Sequence, residues 1–243
     1  MLKQLWEVAK TVIIASFRKS IIFASWLIMM PLLLGAWLFE ISNPGFQSGF
    51  IVDAGSSLMS VLAVILLMIL AFEHLYWAKE QNTPWFFMTR LKSKIILIAG
   101  KYCGISLVCL LSIVCFALLL FLIVGFTSGS WFILPFKIAL MVWAEYSLLL
   151  SVLVLFSSFW GKMLSIGLMV PVFFIAHYIS YLKVFIPNAV AELVMAFIPN
   201  VEIFNAVISD GSWSTIGLAL LYSWLMSAFY IVLAGCRLRS MDL

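Results

Sequence analysis

Hydrophobic residues run in long blocks along this chain, and short polar segments break them at regular intervals. The apolar runs cover about 21–39, 54–72, 102–124, 138–160, 163–182 and 216–236. A helix rises about 1.5 Å per residue and a bilayer's hydrocarbon is about 30 Å thick, so each run predicts a membrane-crossing helix. Six such spans make one all-α membrane domain over 1–243. Pro31 and Pro171 fall inside the first and fifth spans, where proline kinks a helix.

Four segments between or beside the spans carry their own pattern. Over 1–20, Lys3, Lys10, Arg18 and Lys19 oppose Leu2, Leu5, Trp6, Ala9, Val12, Ile13 and Phe17. That alternation predicts an amphipathic helix at the membrane interface. No small-residue cleavage site follows the first span, which speaks against a removed signal peptide. Asn43, Pro44 and Gly45 mark a turn within 40–53. The segment 183–214 is too broken by Pro187 and Pro199 to span and too apolar for a solvated loop. Asn188 and Asn200 are placed to cap two short helices running to Ile198 and Ile208, dipping into the bilayer and back.

The longest polar interruption is 73–101, with Lys79, Arg90, Lys92, Lys94 and Lys101 between two spans. Between those charges Trp85, Phe86, Phe87, Leu91, Ile95 and Ile96 recur at roughly helical spacing. The pattern fits a short helix that meets a soluble partner, and equally one lying among lipid headgroups. Lys and Arg near span ends stay on the cytoplasmic side. With both termini and this segment inside, 12 of the 14 basic residues are cytoplasmic, and Lys137 and Lys183 are outside.

Composition agrees with a multi-pass membrane protein: 65% of the 243 residues are hydrophobic, 10% are charged, and the mean hydropathy is +1.20. The net charge of +4 is spread along span ends instead of forming one basic patch, which argues against nucleic acid as a partner.

Within 73–101 the order of residues resembles the first cytoplasmic loop of type-2 ABC exporter permeases. Glu80, Thr83, Ser93, Lys94, Gly100 and Lys101 occupy positions of that loop's pattern. Asn82 stands where the family has Gly, Leu91 where it has Pro, and Lys94 where it has Arg, keeping the charge but losing the bidentate fork. The resemblance implies a permease fold: an N-terminal elbow helix, six spans, a cytoplasmic coupling helix, and re-entrant helices before the last span. It also implies a second permease copy or homologue, two cytosolic ATPase subunits that bind ATP and Mg, and a bacterial inner membrane. Glu80, Asn82, Thr83, Trp85, Arg90 and Lys94 become the expected contacts to the ATPase. A lipid, peptide, glycan or other amphipathic molecule becomes the expected cargo.

The chain itself has no G-x-x-x-x-G-K-[ST] loop, so no nucleotide cofactor is expected in it and no catalytic residue is assigned. His74 and His177 belong to no metal-binding spacing, and Gly129-Ser130 sits in a loop where a serine protease would need it on a span. Cys103, Cys109, Cys115 and Cys236 are read as packing residues. Glu145 is the exception to an apolar fourth span. A carboxyl inside hydrocarbon costs about 2.5 to 3.5 kcal/mol on insertion scales and faces a bundle interior or a cavity. His177 lies at a matching depth, about 10 Å below the outer boundary. The two are expected to meet, either as a polar cluster beside a translocation path or as one interhelical hydrogen bond. They also support two alternatives: a proton-coupled secondary carrier, or a noncatalytic scaffold or immunity protein that only binds partners.

Overall fold

The computed structural model describes residues 2–18, 21–42, 50–75, 94–128, 131–179, 198–205 and 212–240. Among them are seven long helices and no strand: α1 (Leu2–Arg18), α2 (Ile21–Ser42), α3 (Phe50–His74), α4 (Lys94–Ser128), α5 (Leu134–Phe159), α6 (Lys162–His177) and α7 (Trp213–Ser240). Five of these, α2 to α5 and α7, are long and apolar enough to cross a membrane. Among the expected spans α6 stands apart: its 16 residues extend about 24 Å, short of the hydrocarbon thickness. It ends at His177, before the expected limit of residue 182, because Tyr178 leaves helical geometry. The helical backbone continues through Pro31 and Pro171.

Side-chain contacts sort the helix termini into two ends. At the basic end, His74 of α3 meets Ser16 of α1, Lys162 lies over the Phe72 ring, and Arg237 lies over Phe159. At the opposite end, the Trp37 indole donates to Thr127, Phe39 packs on Phe50, and Lys137 lies over Trp213. The helices from α2 to α7 therefore alternate up and down. Glu40, at the end of α2, accepts the backbone N–H of Ile51 at 3.0 Å and so caps the start of α3. That bond explains why α2 and α3 reach into the 40–53 stretch expected as a loop.

The core is centred on α5, which is buried nearly all round and touches α3, α4, α6 and α7. A helix apolar on every side is one with protein on every side. Lipid tails are as apolar as leucine, so helices in a bilayer associate through close packing and hydroxyl contacts instead of water exclusion. The α5–α7 seam follows that rule. Ser223 donates to the Ala144 carbonyl at 2.7 Å and meets Ser147 at 3.3 Å, while Ala219 is buried in the same seam.

A second seam joins α1 to α4 through glycine. A Cβ at Gly100 would come within 2.7 Å of Val8 Cβ, and one at Gly104 within 2.7 Å of Val12 Cβ and 2.9 Å of the Ala9 carbonyl oxygen. Small residues four apart thus form a groove that seats α1, not a contact reserved for another chain. Successive turns of α1 meet successive turns of α4, so the two rise in the same sense. The relation continues upward: Trp26 of α2 packs edge-on to Phe116, and Trp37 meets Thr127. α1 therefore packs along α4, whereas α2 packs chiefly on α3 and reaches α4 through the Trp26 and Trp37 side chains. Only part of α1's apolar side meets lipid or solvent: Val8, Ala9 and Val12 are buried, whereas Leu2, Trp6 and Phe17 are exposed.

Candidate functional site

Helices α5 and α6 form an antiparallel pair joined by a tight turn at Trp160 and Gly161. Glu145 is 14 residues back from Phe159, and His177 is 15 residues on from Lys162. Each is therefore about 21 to 22 Å from the turn. Equal arm lengths bring them level, and His177 Nε2 lies 2.8 Å from Glu145 Oε1. The pair expected from the sequence is formed. Counted along the helices from the turn, the pair lies about 9 Å short of a 30 Å path. Measured along α5 it lies mid-helix instead, because α5 begins at Leu134, four residues before the expected start.

Local geometry restricts the proton in this pair. His177 Nδ1 lies 2.8 Å from the Phe173 carbonyl oxygen one turn earlier. A carbonyl only accepts, so Nδ1 carries a hydrogen and Nε2 faces the carboxyl. One proton is then shared between Nε2 and Oε1. Either imidazolium donates to carboxylate, or the carboxylic acid donates to neutral imidazole. Both arrangements have zero net charge, which suits a buried place: the Glu145 side chain is 4% exposed and that of His177 is 18% exposed. Phe173 shields the pair, with its ring 4.2 Å from the His177 ring and stacked at 6.5 Å on Tyr146.

Residues 198–205 close over this end of α6. The Val201 N–H donates to the Ala176 carbonyl at 3.2 Å, satisfying an acceptor that the last helical turn leaves open. The Asn200 N–H donates to the Tyr222 hydroxyl of α7 at 3.0 Å. Asn200 Oδ1 accepts the Glu202 N–H at 3.0 Å, the capping role expected for it, at the start of a helical turn over 202–205. Val201 and Phe204 are fully buried. Together these residues strap α6 to α7 above the Glu145–His177 pair.

Two partners in this site had no place among the expectations, the Tyr222 anchor and the Phe173 carbonyl. Phe173 could have been found, since a histidine four residues after another residue in a helix can reach back to its carbonyl. Tyr222 had no local signal, because its partner is 22 residues away. Glu80, Asn82, Thr83, Trp85 and Arg90 lie outside the described residues, as do 188–197 of the expected first re-entrant helix and 206–208 of the second. Lys94, the last of the expected coupling residues, opens α4. The segment containing the others connects the basic ends of α3 and α4. Among the described residues no group of His, Cys, Asp and Glu could hold a metal ion, and all four cysteines are free thiols.

The chain matches no protein-family model, and no curated protein is significantly similar to it.

Proposed function

We propose that this chain is the permease subunit of an ATP-binding cassette exporter, working with a second permease and two separate cytosolic ATPases. The observation that carries the proposal is the reach of α4. Its 35 residues extend about 52 Å, well beyond a 30 Å hydrocarbon layer, and it begins where the basic segment 76–93 ends. The Gly100/Gly104 groove fastens α1 to the same rod. A force applied to the segment containing Glu80, Asn82, Thr83, Trp85 and Arg90 would therefore move α4 and α1 together. Lys94 stands at the joint. The cargo class is an amphipathic molecule such as a lipid, peptide or glycan, and the location is a bacterial inner membrane with both termini inside. In this reading α6 completes a sixth crossing with help from the segment that follows it, and 183–214 supplies re-entrant helices.

A test of this arrangement replaces Thr83 by Cys in a chain whose native cysteines are Ser and labels it with a membrane-impermeant maleimide. Labelling in inverted vesicles, and not in right-side-out vesicles, is the expected result. Labelling from the outside would overturn the coupling role.

One observation favours a second reading. The single proton shared by Glu145 and His177 is what a proton-coupled carrier would use to change its charge state. In that case Glu145→Gln abolishes gradient-driven transport without ATP. An exporter driven by ATPases keeps transporting with the Glu145→Gln change, because the amide still bonds His177.

A further inference from the structure

At the joint between α1 and α2 lies a cavity of about 290 Å³, walled by Phe17, Ile22, Phe23 and Trp26 on one side and by Leu111 and Cys115 of α4 on the other. Ser112 also borders it, but its hydroxyl hydrogen is committed to the Val108 carbonyl at 3.0 Å, so the wall presents hydrocarbon. Leu111 is 17 residues below Ser128, about 26 Å along α4 from the opposite end. That places the cavity in the part of the hydrocarbon nearest the basic end. Arg18, the next residue after the wall residue Phe17, is exposed.

We infer that this cavity holds one acyl chain of an anionic phospholipid from the leaflet at the basic end, with the lipid phosphate on Arg18. The chemistry of the walls suits an acyl chain, and their depth matches the part of such a chain nearest its headgroup. An exposed guanidinium at the hydrocarbon boundary takes a phosphate in bidentate hydrogen bonds, which a zwitterionic headgroup meets less favourably. Leu111, Cys115 and Phe23 are partly open to the side, so the lipid enters laterally from the bilayer. The site lies where the end of α1 and the start of α2 face α4, and it stands whether or not an ATPase drives the protein.

The experiment places the full chain in nanodiscs of equal parts phosphatidylglycerol and phosphatidylcholine, then counts retained lipids by native mass spectrometry after detergent extraction. The wild type is expected to keep one phosphatidylglycerol. Cys115→Phe, which fills the cavity from a partly exposed position, loses it, and Arg18→Gln binds both lipids alike. Brominated acyl chains should quench Trp26, read as the difference between wild type and Trp26→Phe, and Cys115→Phe should remove that quenching. Equal lipid retention and equal quenching in wild type and Cys115→Phe would overturn the site. Efficient Cys115–Cys115 disulfide formation between copies would overturn it too, by giving the cavity to a second chain. Helix content measured by circular dichroism separates lost lipid from lost fold.

Discussion

The two ends of the α5–α6 pair are held in opposite ways. At the basic end the turn is gripped by cations over rings, Lys162 on Phe72 and Arg237 on Phe159, and its neighbours α1 and α4 lock backbone to side chain through Gly100 and Gly104. Such contacts tolerate an aqueous or headgroup boundary and form a stiff stem. At the other end the helix stops early, and residues 198–205 fold back to satisfy its carbonyl above a buried acid–base pair. Polar contacts of that kind are directional, so they break in steps instead of yielding gradually. A displacement entering through the stem would be resolved at the strap.

The largest effect is expected from breaking the stem. Gly100→Leu combined with Gly104→Leu pushes α1 off α4, where one clash is with the Ala9 carbonyl and cannot be relieved by a rotamer change. Overpacking costs about 1–3 kcal/mol per site. Thermal unfolding in detergent should show the loss.

Next comes the pair itself. Glu145→Leu leaves His177 Nε2 buried without its partner, a cost of about 1–3 kcal/mol. Glu145→Gln keeps a donor facing Nε2 and should cost less than about 1 kcal/mol. Equal destabilisation by the two variants would contradict the shared-proton geometry.

Smaller effects separate the ends. Asn200→Ala removes the cap over 202–205, at about 1 kcal/mol, and should raise hydrogen exchange at Glu202 without changing the basic end. Lys162→Ala removes one cation–π contact, about 0.5–1 kcal/mol at an accessible site, and should loosen the turn while leaving the strap's exchange unchanged. If either lesion spread to the far end, the stem and strap would be one cooperative unit.

The crossing helices were legible in the sequence because hydropathy over about 20 residues is a local quantity. Glu145 and His177 were legible for a related reason: an ionisable residue in an apolar run is conspicuous, and equal distances from a turn set them level. The strap was only partly legible. Asn200 announced a cap, but Val201 reaching Ala176 and Asn200 reaching Tyr222 depend on how three helices meet. That α1 packs on α4 was not legible, since an apolar stripe does not say whether lipid or another helix covers it. Gly100 and Gly104 held the missing information, a groove shaped for Val8 and Val12. The end of α6 at His177 was hidden as well, because the apolar run continues past it while Tyr178 leaves helical geometry.

The proposal that an external ATPase works this stem is tested most directly by composition. Gentle solubilisation of native membranes, followed by purification on a tag carried by this chain, should recover a nucleotide-binding subunit in fixed ratio, and Glu80→Lys with Trp85→Ala should release it. A pure preparation that never contains an ATP-hydrolysing companion, from membranes where the chain is active, would contradict the account.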